Sequence, residues 1–352
     1  MRESDAWGSL SMREVNPAEN QRIAWIDCAK GIAMLLVIFS HSVHGVLRGV
    51  IFSFHMPLFF ILSSTTYRCS ENLAQWGVKT KKAAVHLLKP VLILFLMVGI
   101  AEALSLFLRG YAEAINADFL WGKILTLVFA SGARFTFNGM QIDRLGIPWF
   151  LVVLFLGRSL YDLIQLRIKG TWLTVACIVL TMIGIAIGQS QWLPFSLDIA
   201  LAIMMFLHLG QKSKMVDLQH GTAKKMIVAM IIWCVLVVAT YILGDRYLEL
   251  AVRRYPLFPI SYVAAVAGTA ALSAFSSLLV QFGNKFLSPL LFCGKNSLVL
   301  LCVHTMDFLW ESAYTCVDNL IVTAMLRIIL DLSVFFAIMF ISNKLSRKGM
   351  KC

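Results

Sequence analysis

Ten runs of apolar residues, each close to the ~20 that an α-helix needs to cross a hydrocarbon core, are separated by short polar stretches along this chain. They lie near 24–46, 50–66, 90–108, 147–166, 171–188, 195–210, 226–244, 257–281, 289–311 and 323–343. A backbone in lipid must satisfy its own N–H and C=O groups, so runs of this length fold as helices. The expected fold class is all-α: a polytopic membrane helical bundle of about ten transmembrane helices. Composition agrees, since 59% of the 352 residues are hydrophobic and 14% are charged, whereas soluble domains carry about 25% charged residues. A large soluble core, a disordered chain and a secreted disulfide scaffold are excluded.

The net charge of +12 is placed as a topology signal, not as a nucleic-acid footprint. Arg68, Lys79, Lys81, Lys82 and Lys89 follow the second run, Arg167 and Lys169 the fourth, and Lys212, Lys214, Lys224 and Lys225 the sixth. Lys344, Arg347, Lys348 and Lys351 follow the last. With alternating spans all four groups share one side, which the positive-inside rule makes cytoplasmic, with both termini. The chain then reads as a multi-pass protein of the plasma membrane, in contact with lipid and with no nucleic-acid partner. Residues 1–22 form a polar cytoplasmic segment and 23–343 the membrane domain. The basic tail, 344–352, is where a linker to a fused or associated cytoplasmic domain would begin. No cleavable leader is expected, because the first apolar run is long enough to stay in the membrane. Pro90, Pro148 and Pro289 are expected at span starts, where a missing N–H costs least. On the outer side, 119–130 is too short to cross and reads as an interfacial helix, followed by a polar, glycine-containing loop. Outer loops keep Arg134, Arg253 and Arg254 among other arginines, which would suit an anionic envelope polymer or simply lipid and water.

Ionisable groups inside spans are the functional candidates. The first run is richest: Asp27, Lys30, Met34, Val37, His41 and His44 form one helical stripe. Lys30 and His41 lie on the same face about 16 Å apart along the axis. Opposite chain directions bring His55 of the second run and His304 of the ninth to the depth of His41. Asp307, three residues after His304, is placed to orient its ring. A histidine of near-neutral pKa can take a proton from a hydroxyl and return it to a leaving group. The structural alternative is an interhelical hydrogen bond, worth about 0.6 kcal/mol on average. That alternative suits His44 and His86; His41 is the catalytic candidate, and His55 and His304 stand between the two. Arg327 and Asp331, four apart, are expected to neutralise each other. Glu102 has no evident partner. Lys79, Lys81 and Lys82 can hold an anionic cofactor's phosphates at the cytoplasmic mouth, or serve topology and lipid headgroups alone. Eight cysteines without a CxxC, and methionines without a ligand pattern, indicate no metal site.

The stretch RIAWIDCAKGIAMLLVIFSH, followed by FSFHMPLFFILSS, resembles acyltransferase family 3, the ten-helix membrane acyltransferases. The likeness continues through KTKKAAVHLLKP, IPWFLVVLFL and FCGKNSLVLLCVHT. It implies O-acetylation: an acetyl group passes from cytoplasmic acetyl-CoA, the donor substrate, to a hydroxyl acceptor of the cell envelope on the outer side. The family's arginine, ten residues and functional histidine fall here on Lys30 and His41. Lysine keeps the charge and loses the planar fork. Ser63 and Ser64 stand where Ser-Gly is common. A pantetheine arm would bring the thioester up to His41, with Lys30, Ser40, Ser42 and Asn296 lining its path and His55 and His304 beside it. The KGI…HS opening and the basic stop also resemble the membrane half of VanT-type membrane serine racemases, associated with vancomycin resistance. That half has been regarded as a serine importer, and serine uptake is the alternative function. Transporters favour internal repeats and paired broken helices; no repeat is found and one broken segment is doubtful.

Overall fold

The computed structural model describes residues 17–213, 222–244 and 246–349, and their regular structure is almost wholly helical. Residues 1–16, 214–221, 245 and 350–352, with Lys214, Lys351 and part of the expected terminal segments, lie outside the described residues. Helix α1 (Pro17–Ser40) stops at Ser40 instead of continuing to 46. Gly45, at φ +64°, lets the chain reverse there, in a conformation that costs other residues more. Two shorter helices, α2 (Gly45–Phe52) and α3 (His55–Thr66), bring the chain back.

Helix α4 (Leu73–Leu108) starts well before Pro90, where its span was expected to begin. Asn72 caps it by accepting the Gln75 N–H, and the segment up to Lys89 is rich in helix-forming Ala, Leu, Lys and Gln. A proline inside so long a helix removes one hydrogen bond without ending it. Beyond α4, α5 (Ala117–Phe129) is the expected short outer helix. The loop after it holds a hairpin, β1 (Phe135–Phe137) with β2 (Met140–Ile142). Asn138 and Gly139 both have positive φ, the conformation that Asn-Gly hairpin turns require.

Helices α6 (Trp149–Arg167), which does begin after Pro148, and α7 (Gly170–Ser190) follow. Then α8 (Leu197–Ala202) and α9 (Met204–Ser213) make one segment bent by 51°. After α10 (Ala223–Leu243) and α11 (Ile260–Gln281), α12 (Asn284–Lys295) and α13 (Ser297–Thr305) make a second, bent by 77°. Pro289 lies inside α12 and does not start it. A short α14 (Glu311–Tyr314) leads to α15 (Leu320–Gly349), which takes in most of the expected basic tail.

Seven segments of the described residues are long and apolar enough to cross a membrane, nine when each bent pair is one span. Helix α1 sits among them, packed on α11, α12, α13 and α15. Nine of the ten expected runs coincide with these segments, and the remaining one, the first, is helix α1 itself, which is not counted among them. The polar stripe of α1 explains its central place, because lipid cannot hydrate it and protein must surround it. By contrast α4 and α10 keep apolar side chains such as Leu96, Ile100, Ile231 and Val235 exposed on the rim.

Close helix contact depends on two glycines. A Cβ on Gly294 of α12 would overlap the Asp27 carbonyl of α1, and one on Gly31 would overlap the Leu290 carbonyl. Such small-residue crossings let membrane helices meet backbone to backbone. Gly294→Val should lower the melting temperature in detergent clearly, at an overpacking cost of about 1–3 kcal/mol. Gly77→Ala, in open space on α4, should leave it unchanged; equal effects would show that the crossing does not set stability.

Candidate active site

His41 occupies the turn that ends α1, where helix carbonyls lack partners. Its ring Nδ1 donates to the Val37 carbonyl at 2.8 Å. That fixes the tautomer and leaves the lone pair on Nε2. The ring is half-buried and keeps some accessible surface. His304 stands beside it, ring centres 5.1 Å apart and edge-on. The Phe52 ring lies 6.1 Å from His41 and 4.7 Å from His55. His55 is buried and donates from Nδ1 to the Ile51 carbonyl at 3.0 Å. The three histidines therefore share one level, while His44 is exposed at the start of α2.

A network of buried charges fixes His304. Its Nδ1 is 2.9 Å from Asp331 of α15 and 3.0 Å from Asp307. The Trp310 indole donates to the other Asp331 oxygen at 3.0 Å. Arg327 turns away from Asp331 and donates through Nε to Asp307 at 2.6 Å and through a terminal nitrogen to Ser42 at 3.3 Å. The expected pairing of Arg327 with Asp331 is therefore wrong. Helix spacing permits it, but the histidine and indole of neighbouring segments claim Asp331 first. Asp307 does face His304, as its spacing suggested. The Nε2 of His304 is buried without a hydrogen-bond partner among the described residues, an unusual state for a polar atom in a protein interior. His304, Asp307 and Asp331 also bring potential metal ligands within 4.8 Å of one another, a grouping spread over two segments, whereas the cysteine and methionine patterns alone led to the expectation of no metal site. Arg327 supplies the cation against Asp307 there.

At the other end of the stripe, Lys30 lies within electrostatic reach of Asp27 and of Arg158 on α6. The Arg158 guanidinium stacks 4.2 Å from the Tyr67 ring and 3.4 Å from Ser63 Oγ. Tyr67 is held in turn by Asp162, a wholly buried carboxylate that also accepts from Ser70 and Gln165. Sequence reasoning missed Arg158 and Asp162, although both are charges inside an apolar run and carry the signal that singled out Lys30.

The other expected site residues are dispersed. Asn296 marks the bend between α12 and α13, and its side-chain amide donates to Phe292 O at 2.9 Å. Lys79 donates to the carbonyls of Arg68 and Cys69, closing the loop after α3. Lys81 and Lys82 open onto a groove between α4, α13 and α15, which neither Lys30 nor any of the three layered histidines lines. Glu102 is paired after all, with Lys123 of α5; a partner 21 residues away on another helix leaves no local pattern. Among the outer arginines, Arg253 is buried against Asp198 at 2.8 Å and stacks on Trp192. It locks the outer turns and is not available to an acceptor.

A family model described as an acyltransferase domain, that of acyltransferase family 3, matches residues 23–343. No curated protein and no solved structure matches the chain.

Removing one partner of a buried ion pair costs about 3–5 kcal/mol, and this separates the observed pairing from the local one. In a double-mutant cycle read by unfolding in detergent, Arg327→Leu should couple strongly to Asp307→Leu. Stronger coupling to Asp331→Leu would restore the i, i+4 pair.

Proposed function

The chain belongs to acyltransferase family 3, and from that premise we propose that it is an O-acetyltransferase of the plasma membrane. The donor is acetyl-CoA taken from the cytoplasmic face, and the acceptor is a hydroxyl group of a cell-envelope component at the outer side. The observation that carries this reading is His41: a half-buried imidazole of fixed tautomer, beside a second imidazole clamped by two carboxylates.

The chemistry then runs as follows. The acceptor oxygen attacks the thioester carbonyl while His41 Nε2 takes its proton. The tetrahedral adduct collapses, the carbon–sulfur bond breaks, and the imidazolium returns the proton to the departing sulfur. Asp307 and Asp331 hold the His304 ring in one orientation beside His41, and His55 closes the layer from α3. At the cytoplasmic end Lys30 and Arg158 are two cations within electrostatic reach of each other, suited to the donor's phosphates, with Asn296 at the bend between α12 and α13. Arg158 supplies the planar fork that Lys30 lacks.

Serine uptake has one observation in its favour, the two bent helix pairs, since transporters bind at discontinuous helices. The α8–α9 break, however, is packed solidly around fully buried Ile203 and Met204.

His41→Ala should abolish acetyl transfer, as loss of a general base costs about 10²–10⁴-fold, with folding and acetyl-CoA affinity near normal. Retained turnover would remove His41 from the mechanism. Lys30→Ala with Arg158→Ala should weaken acetyl-CoA binding in a titration run beside L-serine. Saturable serine binding without any response to CoA would put uptake first.

A further inference from the structure

Helix α4 packs along α6 but touches α13 at few positions, leaving an open groove of about 1150 Å3 between them. We propose that this groove holds one anionic glycerophospholipid of the cytoplasmic leaflet, with its phosphate at Lys81, Lys82 and Lys89. Its hydrocarbon lies along Ile93, Met97 and Met306.

Charge and depth select this occupant. Every cation lining the groove is at one end, and no acidic side chain lines it at all. Lys82, Lys89, Ile93 and Met97 recur at helical spacing and share one face of α4. Lys89 immediately precedes the apolar part of α4, so the lysines stand at headgroup level. From Pro90 to Met97 the helix rises about 10 Å, within the roughly 15 Å that one leaflet contributes to the core.

The wall chemistry excludes the acetyl-CoA arm. Beyond Lys89 the lining is aliphatic, sulfur-bearing or aromatic, and the Trp310 indole N–H is already engaged by Asp331. A pantetheine amide would find no partner there, whereas a fatty chain needs none. The hydrocarbon end also backs Trp310, and through it the carboxylate that holds His304.

The test is native mass spectrometry of the full chain, released from neutral detergent after equilibration with equimolar phosphatidylglycerol and phosphatidylcholine. One phosphatidylglycerol should be retained in preference. Lys81→Glu with Lys82→Glu and Lys89→Glu should weaken it at least tenfold, since each basic residue near an anionic headgroup is worth roughly fivefold. Val299→Trp, which fills the groove without changing charge, should displace it as well; an unchanged melting temperature certifies each variant as folded. Equal retention of both lipids, or no loss in the charge variant, would overturn the proposal. So would a dimer formed on delipidation, which would give the groove to a second copy. Loss of acetyl-CoA affinity in the charge variant would overturn it too and return these lysines to the donor.

Discussion

Two carboxylates in an apolar bundle, Asp307 and Asp331, tie one half of it together. One charge each at the depth of a membrane would be ruinous if unpaired. Arg327, His304, Trp310 and, through Arg327, Ser42 of the α1 turn satisfy them. The turn after α1, the segment after α13 and the middle of α15 are thereby held in one place. His41 owes its position to this arrangement: it lies one residue before Ser42, and its ring meets the one that the two carboxylates clamp.

The same logic recurs at the other end of the stripe with different residues. Asp162 is buried, accepts from Tyr67, Ser70 and Gln165, and so fixes the ring on which Arg158 stacks. Buried Asp198 and Arg253 do it again. In each case the carboxylate is surrounded by donors from other segments. Low dielectric makes such networks strong when complete and costly when not. The polar chemistry of this bundle is therefore distributed as closed clusters, and the stripe on α1 runs between two of them.

What could be read from the residues divides along a physical line. Crossing segments were legible because membrane solvation acts on each run by itself, and all ten runs fall in helical segments. The layer of His41, His55 and His304 was legible because alternating direction fixes depth without knowledge of packing. Partners were not: Arg327 with Asp307, and Glu102 with Lys123, depend on how helices rotate against one another, which spacing within one helix cannot express. Arg158 was legible in principle as a charge within LFLGRSLYDL, but it was overlooked beside the denser first run. Helix α4 misled for a different reason: hydropathy marks where lipid ends, and helix propensity carried the backbone on past it.

The bare Nε2 of His304 has a consequence for economy. A thioester is a reactive bond, and a basic site open to water would spend it on hydrolysis. Here the Nε2 of His304 is buried without a hydrogen-bond partner among the described residues, and the bundle encloses the whole ring. For the proposed transfer reaction, that enclosure favours an acceptor hydroxyl over bulk water.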